Sequence, residues 1–106
     1  MSISFSITYI DSCQQLDIAN EEYRLTEDVS STSTCFSMTA PGITLDCEGH
    51  SITGTIQVDS DGVYSNQDRT KVRNCEISNW YNGLYFLDVD DGEITNNIAN
   101  SNNFVG

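Results

Sequence analysis

The chain has 106 residues, and sixteen acidic residues against four basic ones give it a formal net charge of −12. That length supports one domain at most, and a domain of this size is marginal without covalent cross-links. The negative surface repels nucleic-acid phosphates and anionic lipid, so neither is expected as a partner. The sequence contains no run of about twenty apolar residues, so it predicts no membrane span.

The chain begins with MSISFSITYI, in which apolar and polar residues alternate. This stretch lacks the basic start and the unbroken apolar core of a signal peptide. The polar residues of the whole chain are mainly Ser, Thr and Asn, which favour turns and strands over helices. The sequence therefore predicts an all-β protein.

Four cysteines follow in chain order, at Cys13, Cys35, Cys47 and Cys75. Their number is even, and they lack the paired C-x-x-C spacing of a zinc site. Two disulfides are favoured over free buried thiols. Disulfides persist in oxidising compartments, so the cysteines predict an extracellular or cell-surface location.

The chain repeats itself from about residue 23 onward, in units of about 20 to 27 residues. Pairs of residues at equivalent positions are Val63 and Leu84, Tyr64 and Tyr85, Val72 and Ile94, Asn74 and Asn96, Leu45 and Val72, Ile52 and Ile77, and Leu25 and Leu45. Each unit holds two or three short strands separated by Asn, Gly and Asp turns. Such strands are stable only when stacked on their equivalents in a continuous parallel sheet. A small antiparallel sandwich is the alternative, but sandwiches show no fixed period.

The stretches CFSMTAPGITLDCEGHSITG, GVY…KVRNCEIS and GLYF…EITNNIANSNNFVG carry this repeat. They resemble the right-handed parallel β-helix repeats of pectin-lyase-like and NosD-like proteins, especially secreted and surface forms with cysteines in LDC and RNC. The resemblance covers about residues 23–106. It implies a right-handed single-stranded parallel β-helix, a solenoid of about four rungs that is open at its C-terminal end. Residues 1–22 would form an N-terminal cap segment.

The β-helix implied by this resemblance also pairs the cysteines. Adjacent rungs lie about 4.8 Å apart, which falls within the Cα separation of a disulfide. Cys47 and Cys75 follow equivalent strands of neighbouring rungs, so a bond between them would link two rungs. A bond between Cys13 and Cys35 would tie the cap segment to the solenoid.

Four aromatic residues are candidates for contact with polysaccharide: Tyr64, Trp80, Tyr81 and Tyr85. Val63 and Leu84 are expected to point inward, so the tyrosines that follow them should stack on one outer face. Trp80 and Tyr81 lie in the turn between them. Aromatic rings aligned on a surface form a platform for the apolar faces of sugar rings, and simple surface packing is the alternative.

The densest acidic stretches are DSDG and DVDDGE, which offer weak calcium candidates at Asp59, Asp61, Asp88, Asp90 and Asp91. Carboxylates are the hard oxygen ligands that calcium prefers, but neither stretch has the EF-hand spacing. The asparagine pair Asn74 and Asn96 is assigned a structural role in turns and amide ladders. We therefore predict no metal and no cofactor.

The resemblance also brings enzymes into view, because polygalacturonase-like members use three neighbouring aspartates with a histidine and an R-x-K motif. Here His50 lies in an EGHS turn, and Arg69–Lys71 forms an RTK without a matching set of aspartates. The chain is therefore predicted not to be an enzyme. We expect a non-catalytic extracellular structural or adhesive module that contacts polysaccharide.

Phe104, Val105 and Gly106 start a further strand that the sequence does not complete. An uncapped solenoid end exposes core and strand edges. Two alternatives follow from this ending. The chain is the N-terminal fragment of a longer protein, such as a carbohydrate-active lyase or hydrolase, or it is a filament subunit that forms a homo-oligomer by end-to-end stacking.

Overall fold

The computed structural model describes residues 6–100, and within that range every regular element is a β-strand. In chain order the strands are β1 (Ile7–Ile10), β2 (Gln14–Leu16), β3 (Glu22–Leu25), β4 (Val29–Ser30), β5 (Phe36–Met38), β6 (Thr44–Asp46), β7 (Ser51–Thr53), β8 (Asp61–Ser65), β9 (Lys71–Arg73), β10 (Glu76–Ser78), β11 (Asn82–Phe86), β12 (Glu93–Thr95) and β13 (Ile98–Asn100). Strands this short depend on neighbours for stability.

The strands form three parallel sheets. Sheet I has the order β1-β3-β6-β9-β12, sheet II has β4-β7-β10-β13, and sheet III has β2-β5-β8-β11. From β3 onward the chain visits sheets I, II and III in turn and then returns to sheet I. Each strand therefore pairs with its equivalent one circuit later, an arrangement compatible with a β-helix-like solenoid.

The strand registers confirm most of the repeat seen in the sequence. The structure pairs Val63 with Leu84 and Tyr64 with Tyr85, Leu45 with Val72, Val72 with Ile94, and Ile52 with Ile77. The predicted equivalence of Leu25 and Leu45 is wrong, because Tyr23 is the partner of Leu45. Both Tyr23 and Leu25 are buried. A shift of two residues preserves which side chains face inward, so the sequence pattern alone does not reveal it.

The core consists of columns of apolar side chains, one column for each inward position of a sheet. Tyr23, Leu45 and Val72 form the column of sheet I, Val29, Ile52 and Ile77 that of sheet II, and Phe36, Val63 and Leu84 one column of sheet III. Ile94 continues the first column but is 45% exposed, because β12 is the last strand of sheet I in the described range.

The two ends of the chain bear on the remaining fold predictions. Residues 7–16 supply β1 and β2, which are terminal strands of sheets I and III. The division into a cap segment before residue 23 and rungs after it stays a prediction. The expected strand start at Phe104, Val105 and Gly106 lies outside the described residues.

Asparagine occupies two of the turns between sheets I and II. Asn74 and Asn96 follow β9 and β12 and have φ values of 58° and 54°. The Asn74 amide donates to the Thr95 carbonyl at 3.2 Å, which links the two turns. Asparagine tolerates this left-handed conformation better than most residues, which accounts for its recurrence at these positions.

Candidate functional site

The tyrosine row predicted from the sequence lies on the outer face of sheet III. Tyr64 on β8 and Tyr85 on β11 are direct register partners, and their ring centroids lie 5.7 Å apart with the ring planes tilted by 59°. Tyr85 is 36% exposed and Tyr64 is half-buried. The row continues towards β2 with Ser37 and Gln15, which carry no charge. The result is an uncharged strip with two aromatic rings in tilted contact at one end.

Trp80 does not belong to this row, which corrects the sequence-based prediction that it contacts polysaccharide. Its side chain is fully buried, and its Nε1 donates a hydrogen bond to the Ile52 carbonyl at 3.1 Å. A Cβ atom on Gly54 would lie 2.6 Å from the Trp80 ring, so that glycine leaves the space that the indole fills. Tyr81 precedes β11 and is half-buried.

The aspartates considered as calcium candidates do not converge. Within residues 6–100 no three His, Cys, Asp or Glu side chains lie close enough together to hold a metal ion. Asp59, Asp88, Asp90 and Asp91 are exposed in turns. The structure therefore does not bring these carboxylates together, and the calcium assignment stays a weak prediction.

Asp61 is the exception among these acids, because it is buried at the start of β8. Burial raises the pKa of its carboxyl, a hydrogen bond from the Asn82 side chain opposes that effect, and the charge of Asp59 adds to it. The Asn82 Nδ2 donates to Asp61 Oδ1 at 2.9 Å across the β8–β11 pair. The pair joins two rungs with no cation beside it among the described ion pairs.

The histidine and the RTK stretch lie at different corners of the molecule. His50 precedes β7 of sheet II, and its Nδ1 lies 3.3 Å from Asp28 Oδ1. A hydrogen bond from the Ser51 backbone and a second one from His50 lower the pKa of Asp28. Arg69 and Lys71, in contrast, lie at the start of β9 in sheet I. These groups therefore do not form one constellation with the histidine.

The two disulfides lie at different corners of the three-sheet arrangement and join different pairs of circuits. Cys13 is bonded to Cys35, with Cα atoms 4.5 Å apart, at the starts of β2 and β5 in sheet III. Cys47 is bonded to Cys75, with Cα atoms 4.8 Å apart, at the corner between sheets I and II. Each bond joins neighbouring rungs, and these are the partners that the β-helix geometry implied. Two disulfides favour an oxidising environment.

The outer face of sheet I carries an ion-pair network that spans three rungs. Arg73 Nε lies 3.0 Å from Asp46 Oδ2, and Arg73 Nη2 lies 3.2 Å from Glu22 Oε1. Arg24 lies 2.6 Å from Glu22 and 3.6 Å from Glu48. The network ties β3, β6 and β9 together through side chains as well as through the backbone ladder.

Asp46 is the buried acid of this network. Burial acts to raise the pKa of its carboxyl, but hydrogen bonds from the Glu48 backbone amide, the Asn74 side chain and Arg73 outweigh it and lower the pKa. The Asn74 Nδ2 donates to Asp46 Oδ1 at 3.1 Å and the Glu48 amide donates to the same oxygen at 2.9 Å. The carboxylate is therefore held in its ionised form.

A groove runs across the strands on this face, and we call it the sheet I groove. It consists of two adjoining cavities of about 350 and 430 Å³ that share Asn20, Gly42, Thr44 and Lys71. The first is completed by Arg69, Asp91 and Glu93, and the second by Ser6, Ile7, Glu22, Arg24 and Arg73. The lining therefore includes all four basic residues of the chain.

One wall of the groove is a column of residues with left-handed backbone. Asn20, Gly42, Arg69 and Asp91 each lie two residues before a sheet I strand, with φ values of 63°, 75°, 61° and 57°. Their amides form a ladder: Asn20 N donates to Pro41 O, Gly42 N to Asp68 O, and Arg69 N to Asp90 O. A Cβ atom on Gly42 would lie 2.1 Å from Asn20 Oδ1, so glycine forms the floor there.

Sequence reasoning missed this groove. The sequence draws attention to the RTK stretch, but it gives no reason to join Arg24, Arg73 and the column at residues 20, 42, 69 and 91 in one site. A signal existed, because each column residue precedes a strand of the repeat by the same two positions. Arginine does not favour left-handed turns, however, so Arg69 would not be identified from composition alone.

The chain matches no family model, no curated protein and no solved structure. Residues 6–100 contain no helix that is long and apolar enough to cross a membrane.

Proposed function

We propose that the chain is a non-catalytic extracellular scaffold that contacts polysaccharide through the tyrosine row of sheet III. Its fold would be a right-handed single-stranded parallel β-helix of about four rungs. The cyclic order of the sheets and the parallel registers support that fold. The two disulfides support the extracellular location.

The contact between the rings of Tyr64 and Tyr85 is the observation that carries this proposal. Equivalent strands place the two rings 5.7 Å apart on an uncharged face. Sugar rings present apolar faces, and aromatic side chains offer a large apolar area with a polar hydroxyl at the edge. A row that follows the stacking direction of the rungs suits a linear chain of sugars.

The separation of the histidine from the basic residues supports a non-catalytic role. His50 pairs with Asp28 beside sheet II, whereas Arg69 and Lys71 line the groove of sheet I. A general acid or base must lie within hydrogen-bond reach of the reacting group together with its partners. The polar groups that would serve a hydrolase lie on different faces of this chain.

The test is a titration with neutral oligosaccharides, in which binding is measured by isothermal calorimetry or by NMR chemical shifts. The variant Y85A should weaken binding by about tenfold, because an aromatic contact of about 1.4 kcal/mol corresponds to that factor. Y9A is the matched control, since Tyr9 is 64% exposed but lies on sheet I. Equal affinities for Y85A and the unsubstituted chain would refute the saccharide contact.

A second candidate function is end-to-end assembly into filaments, favoured by the exposure of Ile94. Its register partner Val72 is fully buried, while Ile94 is 45% exposed. A second copy stacked on β12 would cover it, and head-to-tail contacts of this kind do not close. Light scattering after size-exclusion chromatography, with electron microscopy of the same sample, distinguishes a filament-forming protein from a monomer. Long particles of uniform width support assembly, and a monomer at all concentrations rules it out.

A further inference from the structure

The sheet I groove concentrates the positive charge of an acidic protein. All four basic residues line it, against only three of the sixteen acidic residues: Glu22, Asp91 and Glu93. The rest of the sequence therefore holds thirteen acidic residues and no basic one. A small anion would find its cationic partners here, because every basic residue of the chain lines this groove.

Two of the four cations are available to a ligand. Arg24 and Arg73 are held by Glu22, Glu48 and Asp46. Lys71 Nζ lies 3.7 Å from Glu93 in a pair with both side chains about half exposed, and such pairs are weak. Arg69 forms no ion pair with any residue in the described range.

The backbone of Arg69 indicates that folding alone does not explain its presence. Its φ of 61° is left-handed, a conformation that costs an ordinary residue roughly 1 to 2 kcal/mol. The other column residues are Asn20, Gly42 and Asp91, all of types that adopt this conformation more readily. Asparagine or glycine would serve the turn better than arginine does. A strained residue that carries an unpaired charge into a groove points to binding.

We propose that the sheet I groove binds a phosphate group, either free or as a monoester, between the cations Arg69 and Lys71 and the carboxylate of Asp91. Arg and Lys donate charge-assisted hydrogen bonds to oxoanions, and Thr44 adds a neutral hydroxyl. The Asp91 carboxylate would repel a fully ionised anion. It accepts a hydrogen bond from a protonated phosphate oxygen, and phosphate esters keep such a proton below about pH 6.

This mixture of cations and carboxylates distinguishes phosphate from sulfate, which carries no proton at the same pH. Nucleic acid is not expected to bind in this groove, because a fully ionised polyanion would meet Asp91, Glu93 and the acidic remainder of the surface. The site lies on sheet I and is independent of the saccharide contact on sheet III. Failure of either proposal therefore leaves the other unaffected.

The test is a calorimetric titration of the whole chain with inorganic phosphate and with sulfate at about pH 6 and equal ionic strength. We expect phosphate to bind at least tenfold more tightly than sulfate. R69N and K71Q should each weaken phosphate binding by about tenfold, the effect of losing one charge-assisted hydrogen bond. D91N should narrow the difference between the two anions, because the repulsion of sulfate disappears.

D59N is the matched control for D91N. It also replaces an exposed aspartate at a left-handed turn, with φ of 63°, but lies outside the groove. Both affinities should be unchanged in D59N. Titration with methyl phosphate tells whether the natural ligand is free phosphate or a phosphate monoester. Binding equal to that of inorganic phosphate indicates a monoester on a larger molecule. Loss of binding indicates free phosphate.

Three results would overturn the proposal: no phosphate binding by the unsubstituted chain, equal affinity for sulfate, or full phosphate affinity in both R69N and K71Q. Thermal unfolding of each variant checks that it is folded. R69N should unfold at no lower temperature than the unsubstituted chain, because asparagine relieves the left-handed strain. K71Q provides a separate readout if R69N does not fold, since Lys71 is exposed and weakly paired.

Discussion

The outer faces of sheets I and III are built on the same kind of parallel ladder but carry opposite chemistry. Sheet I presents Glu22, Arg24, Asp46, Lys71 and Arg73, joined into ion pairs across rungs. Sheet III presents Gln15, Ser37, Tyr64 and Tyr85, without charge. Beneath both faces the inward residues are similar apolar columns. The comparison teaches that the inward positions specify the fold, whereas the outward positions are free to differ and decide what can bind.

The contrast extends to one buried aspartate on each sheet. Asp46 on sheet I is surrounded by hydrogen-bond donors and a guanidinium, and its pKa is lowered. Asp61 on sheet III is buried with one amide donor and no cation, and its pKa is raised. Ionisation of Asp46 therefore stabilises the fold, and ionisation of Asp61 destabilises it.

The largest effect is expected for Trp80→Ala, which removes an interior side chain rather than a feature of either face. The indole is fully buried against Gly54, and the Ile52 carbonyl would lose its donor. Large-to-small core substitutions of this kind cost about 3 to 5 kcal/mol. Chemical denaturation measures the loss, with Y9A as an exposed aromatic control. A midpoint like that of Y9A would place Trp80 outside the core.

The next effect concerns the disulfide at the corner of sheet I. Replacing Cys47 and Cys75 by serine should lower stability by about 3 kcal/mol, because the bond closes a loop with a sequence separation of 28. The matched variant replaces Cys13 and Cys35, whose bond holds the terminal strand β2 to β5. In the variant without the Cys13–Cys35 bond, hydrogen exchange should show a loss of amide protection that is confined to β1 and β2. Identical exchange patterns for the two variants would contradict this difference.

A smaller effect is expected for Asp46→Asn on sheet I. The variant loses the ion pair with Arg73, which should cost about 1 to 3 kcal/mol at neutral pH. Because the folded pKa is lowered, this stabilisation exists above the ordinary carboxyl value and disappears as the pH falls through the folded value. Denaturation curves over a range of pH should therefore converge with those of the unsubstituted chain in acid. A constant difference at every pH would rule out this account.

The smallest effect, with the opposite sign, is expected for Asp61→Asn on sheet III. Because the folded pKa is raised, ionisation costs stability as the pH rises from the ordinary carboxyl value through the folded one. Asparagine cannot ionise, so the variant should gain up to about 1 kcal/mol at neutral pH and show no gain in acid. The same pH series measures it. A lower stability of the variant at neutral pH would mean that the charge of Asp61 stabilises the fold.

The sequence predicted the repeat well because the stacking of equivalent strands leaves a direct trace. Val63 and Leu84, like Val72 and Ile94, are separated by one circuit of the three sheets and are paired in the structure. The prediction of equivalent positions failed where two neighbouring residues fit the inward pattern equally well. Tyr23 and Leu25 both face inward, so either could have been matched to Leu45.

The sites were less predictable because they depend on contacts between rungs. Trp80 lies between two strands, where the sequence predicts a surface position. Gly54 and Gly62 carry no side chain and so leave room for the indole in the interior. The sheet I groove depends on Gly42, whose small size is visible in the sequence, and on the backbone of Arg69, which is not. A sequence pattern that is interpreted one rung at a time therefore predicts neither the burial of Trp80 nor the sheet I groove.

The loop between β7 and β8 shows where this architecture accepts change. It runs through residues 54–60, whereas the equivalent connection between β10 and β11 takes only residues 79–81. The longer connection leaves the registers on both sides intact. A protein engineer could therefore extend this loop with foreign sequence, or duplicate a whole circuit, without redesigning the interior. Each added circuit would lengthen the molecule by about 4.8 Å, which makes the repeat a unit of molecular length.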